Sequence, residues 1–307
     1  MQKNNYLLGL ALCLISTIFW GSQFPVMEPV LKVIDPFYFT LMRYGSVAII
    51  FAILLLITEG KKAFHMDGHL LKLWLLGSSA IAGYSFLAFA GQKMAGNSGS
   101  IITSVLMAVQ PLLAVLVARV YRGTRPTKVA LLSMAVALIG VLLVVTNGNL
   151  SILTSGSHTL IAVVLILLGA LCWVIYTTGG ADFTDWSILR FSTLSTILGI
   201  GTVIVLLAIA TAAGWLHIPT SNAVGSILPE WLYMVIPAGV IAVFTWNLGN
   251  RIVSPINGIL FMNIVPVTSF IISAVIGYKV GSFEIIGAAI VISALIANNI
   301  YNRKHSS

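Results

Sequence analysis

The chain has 307 residues, 59% of them hydrophobic and 8% charged, with a mean hydropathy of +1.04. A soluble domain carries charge on roughly a quarter of its residues, so these proportions exclude a water-surrounded fold and predict an integral membrane protein. The formal charge of +8 is no nucleic-acid footprint, because the cations gather where short cytoplasmic loops are expected. The expected partners are a lipid bilayer and a small-molecule substrate.

A hydrocarbon core of roughly 30 Å requires about 20 apolar residues of a crossing helix. Ten such stretches follow one another, near residues 7–27, 37–57, 72–92, 98–119, 127–146, 158–177, 188–211, 230–249, 256–277 and 283–301. Runs such as Val203 to Ala210 do not alternate as barrel strands do, so the predicted class is an all-α membrane protein with ten transmembrane helices. The first stretch follows Lys3 as a signal peptide would. It ends in Phe24-Pro25-Val26-Met27-Glu28, without a small-residue cleavage site, and is read as helix 1.

On that first helix Ser16, Trp20, Gln23, Phe24 and Met27 recur at helical spacing and share a face. Arg43 stands near the start of the second. The third offers Tyr84, Phe89 and Gln92, and the fourth Ser100, Thr103, Ser104, Met107, Gln110 and Pro111. After the fifth, a polar stretch from Asn147 to Ser157 marks a boundary. The sixth carries Trp173, Tyr176 and Thr177, and the seventh has Arg190 near its start. The eighth carries Phe244, Trp246, Asn247 and Asn250, and the ninth Asn257, Phe261, Met262, Asn263 and Pro266.

The two sides of that boundary repeat one another. Asp35 precedes Arg43-Tyr44 by the same interval that separates Asp182 from Arg190-Phe191. Trp20 and Trp173 lie upstream, and Met107-x-x-x-Pro111 and Met262-x-x-x-Pro266 downstream. With the N-terminus in the cytoplasm, the inner segments hold most of the Lys and Arg residues, from Lys3 and Lys61 to Arg303 and Lys304. The outer segments hold only Lys32, Lys93 and Lys279. Both termini are therefore expected inside, which needs an even number of spans. Five is odd, so residues 1–150 and 151–307 are expected to be inverted five-helix repeats with a site near the midplane between them.

Polar and aromatic groups on one face of an apolar helix line a cavity or pack between helices, since facing lipid they would leave hydrogen bonds unmade. Trp20 and Trp173 fit either role. Pro111 and Pro266 each free a carbonyl one turn earlier, at a gate or at a fixed packing kink. Tyr84, Gln92, Trp246 and Asn250 supply aromatic surface with scattered amides, suited to an uncharged or zwitterionic ligand with an apolar part. Arg43 and Arg190 either hold a substrate carboxylate with their bidentate forks or pair structurally, each with the Asp eight residues earlier, or anchor at the headgroups. The carboxylate nearest a span end is Glu28. Intramembrane carboxylates usually carry coupling protons, so facilitated diffusion or exchange is expected rather than proton antiport.

Ten helices in two inverted halves, a Trp late in the first helix of each half, an Arg near the start of the next and a Pro in the fourth resemble the EamA-type members of the drug/metabolite transporter superfamily. The resemblance spans about residues 5 to 302. It implies export or exchange of small metabolites such as amino acids or related compounds across the cell membrane. Transport would run through a cavity lined by helices 1, 3, 4, 6, 8 and 9, with helices 5 and 10 peripheral. Many members carry a Glu just after the fourth helix of each half; here Tyr121-Arg122-Gly123 and Gly277-Tyr278-Lys279 stand there, and only Glu284 opens the tenth.

No His-Glu-x-x-His, Gly-x-Ser-x-Gly or Gly-x-x-x-x-Gly-Lys motif is present, so neither an enzyme nor a cofactor is expected. His65 and His69 flank Asp67, but Gly68 and a loop position argue against a metal. Cys13 and Cys172 form no disulfide framework. The competing class is a membrane-embedded enzyme or receptor for a lipophilic small molecule.

Overall fold

The computed structural model describes residues 3–123, 127–149, 157–253 and 259–305. Every regular element among them is a helix. The first is α1 (Lys3–Val33), followed by α2 (Pro36–Thr58) and α3 (Leu70–Met94). The chain then folds into α4 (Gly99–Ala108), α5 (Gln110–Arg122) and α6 (Lys128–Thr146). Beyond the boundary come α7 (Ser157–Gly180), α8 (Ile188–Ala212) and α9 (Leu228–Val253). The last two are α10 (Ile264–Val275) and α11 (Ser282–His305).

Seven of these helices are long and apolar enough to cross a membrane, and eight if α4 and α5 form one span bent by 44°. Two shorter apolar helices, Phe261–Val275 and Ser282–Asn298, follow. The bend at Val109 has a local cause. Pro111 at the start of α5 has no N–H to give the Met107 carbonyl, and the Val109 N–H turns back to Leu106 and Met107 instead.

Helix starts reuse one device. Asp35 caps α2 by accepting from the Phe37 N–H at 2.9 Å, with Pro36 in the first turn. Thr127 and Ser187 cap α6 and α8 in the same way, at 3.1 and 2.9 Å. Such caps satisfy donors that helices leave open at their N-termini.

The polarity of the molecule is inside out. Ile49, Ile53 and Ile57 on α2, and Ile204, Val205 and Ile209 on α8, are exposed. Ser16, Gln23, Arg43, Thr103, Ser104 and Thr193 are buried. Only a hydrocarbon surrounding makes this arrangement stable.

Helix α1 packs against α9 and α10, while α7 packs against α3 and α5. Helices α2 and α8 pack on each other, as do α6 and α11. Small residues permit the closest approaches. A Cβ on Gly77 of α3 would stand 2.0 Å from the Ser195 carbonyl oxygen of α8, and one on Gly199 would stand 2.4 Å from the Gly77 oxygen. Gly140 of α6 and Gly287 of α11 face each other similarly, at 2.6 and 2.5 Å from each other's carbonyl.

Two spans contain a π-helical turn, Ser79–Gly83 in α3 and Ile236–Ile241 in α9. In the second, the Ala242 N–H bonds to Pro237 O rather than to Ala238 O, its α-helical partner. The Ala238 carbonyl is thereby released to another helix.

Candidate functional site

The released carbonyl meets Trp20, whose Nε1 donates to it at 3.2 Å. That bond fixes the indole against α9 and makes it one wall of an inner cavity of about 40 Å³. From α1 come Trp20, Gln23 and Phe24, from α2 Arg43 and Tyr44, and from α3 Tyr84. Met107 and Gln110 flank the α4–α5 bend, and Trp173 enters from α7. Ala238, Val243, Met262 and Val265 complete the lining.

Arg43 is 2% exposed. Its Nε donates to the Met234 carbonyl at 3.1 Å and its Nη2 to Gln23 Oε1 at 3.0 Å, while Nη1 has no partner. The guanidinium carbon lies 4.8 Å from the centre of the Tyr44 ring and 5.8 Å from that of Phe89, favourable but weak contacts for a cation out of water. None of the ion pairs among the described residues includes Arg43. Asp35 caps its helix instead of pairing with Arg43.

Aromatic rings continue from the cavity towards the ends of α7 and α8. Trp20 lies 6.0 Å from Trp173 and 5.2 Å from Trp246. Trp173 contacts Tyr84 at 5.3 Å and Tyr176 at 5.4 Å, and Tyr176 stacks on Phe191 at 5.3 Å. Tyr176, Trp246 and Pro111 line an outer vestibule of about 400 Å³, with Phe183, Trp186, Asn247 and Arg251. Gln110, Trp173 and Met262 are common walls of both spaces. The vestibule thus adjoins the inner cavity across these three side chains and extends to the end of α7, the start of α8 and the end of α9.

At the opposite end the helices are tied together. Ser98 and Tyr278 share a 2.8 Å hydrogen bond, and the Tyr278 hydroxyl donates to Glu284 at 2.7 Å. Glu284 also accepts from the Gly281 N–H. Ser100 approaches Ser273 at 3.3 Å and donates to Glu28 at 3.5 Å. Burial pushes the Tyr278 phenol up to about 12, so it stays a donor at any physiological pH.

The remaining predicted residues that are described lie off these walls. Gln92 is buried and donates to the Phe24 carbonyl at 2.7 Å, tying α3 to α1. Ser104 is buried and bonds back to the Ile101 carbonyl of its own helix. Phe261 is half-buried and Asn263 buried just before α10, in whose first turn Pro266 is buried. Asn257 and the side chain of Asn250 lie outside the described residues. Arg190 is held on the loop between α2 and α3, donating to Asp67 at 2.6 Å and to the His65 carbonyl, with Trp186 3.8 Å beneath it. The Arg190 hydrogen bond holds the Asp67 carboxyl below the usual carboxylate range. Asp182, eight residues before Arg190, pairs instead with Lys72 at 2.6 Å.

Several wall residues escaped the sequence reading. Tyr44 belonged to the repeated Arg-aromatic pair and was legible there. Ala238 acts through a carbonyl freed by a π-turn, for which Pro237 is the only local signal. Phe183, Trp186 and Arg251 come from helix ends, where spacing along a span gives no guidance.

Apolar helices of crossing length, a polar interior and a buried cavity define a multi-pass membrane protein. The EamA-like transporter family profile matches residues 7–146 and again 160–300. A curated relative, the uncharacterized transporter YrdR of Bacillus subtilis (strain 168), is 40% identical over 304 residues, covering 99% of this chain and 95% of that one. A second, the uncharacterized transporter YyaM of the same organism, is 28% identical over 302 residues, 95% of each. A solved crystal structure superposes over the whole of both chains with a TM-score of 0.67 at 18% identity, a likeness of fold. The chain belongs to the EamA-like transporter family.

Proposed function

We propose that the protein exports small metabolites, amino acids or related compounds, across the cell membrane by alternating access. The observation that carries this reading is a cavity that adjoins a wide vestibule at one set of helix ends, while hydrogen bonds tie the helices together at the other. A solute entering by the vestibule reaches Trp20 and Arg43 and leaves only when the tied end parts.

Ten crossings in two inverted halves, residues 1–150 and 151–307, complete the proposal. The bent α4–α5 pair then counts as one crossing, and α10 and α11 as the ninth and tenth. Pairwise packing supports it: α1 meets α9 and α10 as α7 meets α3 and α5, and α2–α8 and α6–α11 are each a pair of counterparts. In this arrangement both termini are cytoplasmic, and the open vestibule faces the cytoplasm beside Arg251. Pro111 and Pro266, each four residues after a cavity-lining Met, are the proposed flexing points.

The test is efflux of radiolabelled amino acids from cells overexpressing the chain, after a resistance screen with toxic analogues has narrowed the choice. Substrate-specific efflux lost in Trp20→Ala and in Arg43→Ala is the expected result. Chemical conversion of a ligand without movement would favour the membrane-embedded enzyme instead.

A further inference from the structure

The inner cavity contains one full charge and nothing to balance it. Arg43 is almost wholly buried, lines the cavity, joins none of the ion pairs among the described residues and keeps Nη1 without a partner. The sequence has eight carboxylate side chains, Glu28, Asp35, Glu59, Asp67, Asp182, Asp185, Glu230 and Glu284. None of them lines the inner cavity or the vestibule. Asp182, at the rim, is occupied by Lys72 and Tyr121.

A buried guanidinium without a counter-ion is costly. The cost falls when an anion binds, and a carboxylate accepts charge-assisted hydrogen bonds from such a fork. An ammonium group entering the same space has no comparable reception. The nearby carbonyls of Met234 and Ala238 already accept from Arg43 and Trp20. An aromatic cage ordinarily suits a cation, but here the Tyr44 face already has Arg43 over it. Arg251, on the vestibule wall, adds a second positive charge along the entry path.

We infer that this site, taken as the transport site proposed above, selects monocarboxylates with an aromatic or apolar body and no free ammonium group. The carboxylate sits on Arg43, and the body lies among Trp20, Tyr84 and Trp173. Within the compounds related to amino acids, deaminated or N-acylated forms are preferred to the zwitterions.

Three probes share a phenyl ring and a two-carbon spacer and differ in charge: 3-phenylpropionate, phenylalanine and 2-phenylethylamine. Their binding to the purified full-length protein at pH 7 is measured by titration calorimetry. The expected result is 3-phenylpropionate binding about tenfold more tightly than phenylalanine, the scale of one unmet charge interaction, with 2-phenylethylamine weakest. Phenylalanine or the amine binding as tightly as the acid, or no binding of the acid, overturns the inference. In Arg43→Gln the acid's advantage is expected to vanish, and in Arg43→Lys to persist in part. Should Arg43→Gln not fold, the wild-type ranking alone decides. Counterflow of the same probes in proteoliposomes is measured separately. The expected binding order without counterflow supports the recognition proposed here while overturning the transport reading.

Discussion

Arg43 concentrates the electrostatics of the site in one side chain. Each of its engaged nitrogens is held by a neutral acceptor, Gln23 or the Met234 carbonyl, so the cation is oriented without being neutralised. Arg43→Ala is expected to remove ligand binding while leaving Gln23 and the Met234 carbonyl unpaired, at about 1–3 kcal/mol for such a buried group. A lowered melting temperature in detergent and loss of calorimetric binding are the readouts. Trp20→Phe keeps ring area but loses the bond to Ala238, and a weaker affinity of severalfold is expected with stability nearly retained. Arg190 serves a different purpose, clamping the loop between α2 and α3. Its hydrogen bond lowers the Asp67 pKa, so the contribution of this contact is complete above the ordinary carboxylate value and is lost as pH falls through the lowered one. Protection of the loop amides, taken relative to the intrinsic exchange rate at each pH, should therefore hold from pH 5 to 7 and fall only in stronger acid, and should be low throughout in Asp67→Asn.

The helices themselves were largely legible, because a 20-residue apolar run has few alternatives in lipid. What spacing could not supply was where a helix breaks and what a side chain meets. Pro111 announced the α4–α5 bend, whereas the π-turn in α9 has only Pro237 to mark it, and the carbonyl it frees holds Trp20. The repeated Trp, Arg and Met-Pro positions identified Trp20, Arg43, Met107 and Trp173 as neighbours. The same repetition left Arg190, like Arg43, to hold a substrate carboxylate, to pair with the Asp eight residues earlier or to anchor at the headgroups, whereas Arg190 sits in the first turn of its helix with Asp67. A sequence repeat preserves position along a helix and leaves local partners free to differ. Gly287→Leu is expected to push α6 from α11, with about 1–3 kcal/mol of destabilisation, read as a lower melting temperature with ligand affinity unchanged. Gly77→Leu acts on the α3–α8 contact, beside the spans that carry Tyr84 and Arg43, and should lower stability and affinity together.

At the level of the whole molecule the account rests on asymmetry: an open vestibule at one set of helix ends and a tied closure at the other. Ser100 and Ser273 join α4 to α10 within this closure, so they belong to parts that must separate if a solute is to leave on that side, and their short side chains place them within reach of a disulfide. Replacing both with cysteine, in a chain whose Cys13 and Cys172 have been changed to Ala, allows the closure to be locked by oxidation. The most direct test is counterflow in proteoliposomes before oxidation, after oxidation and after reduction. The account predicts counterflow that stops when the Ser100→Cys/Ser273→Cys bridge forms and returns when it is reduced. Counterflow continuing at full rate through a quantitatively bridged protein would contradict it.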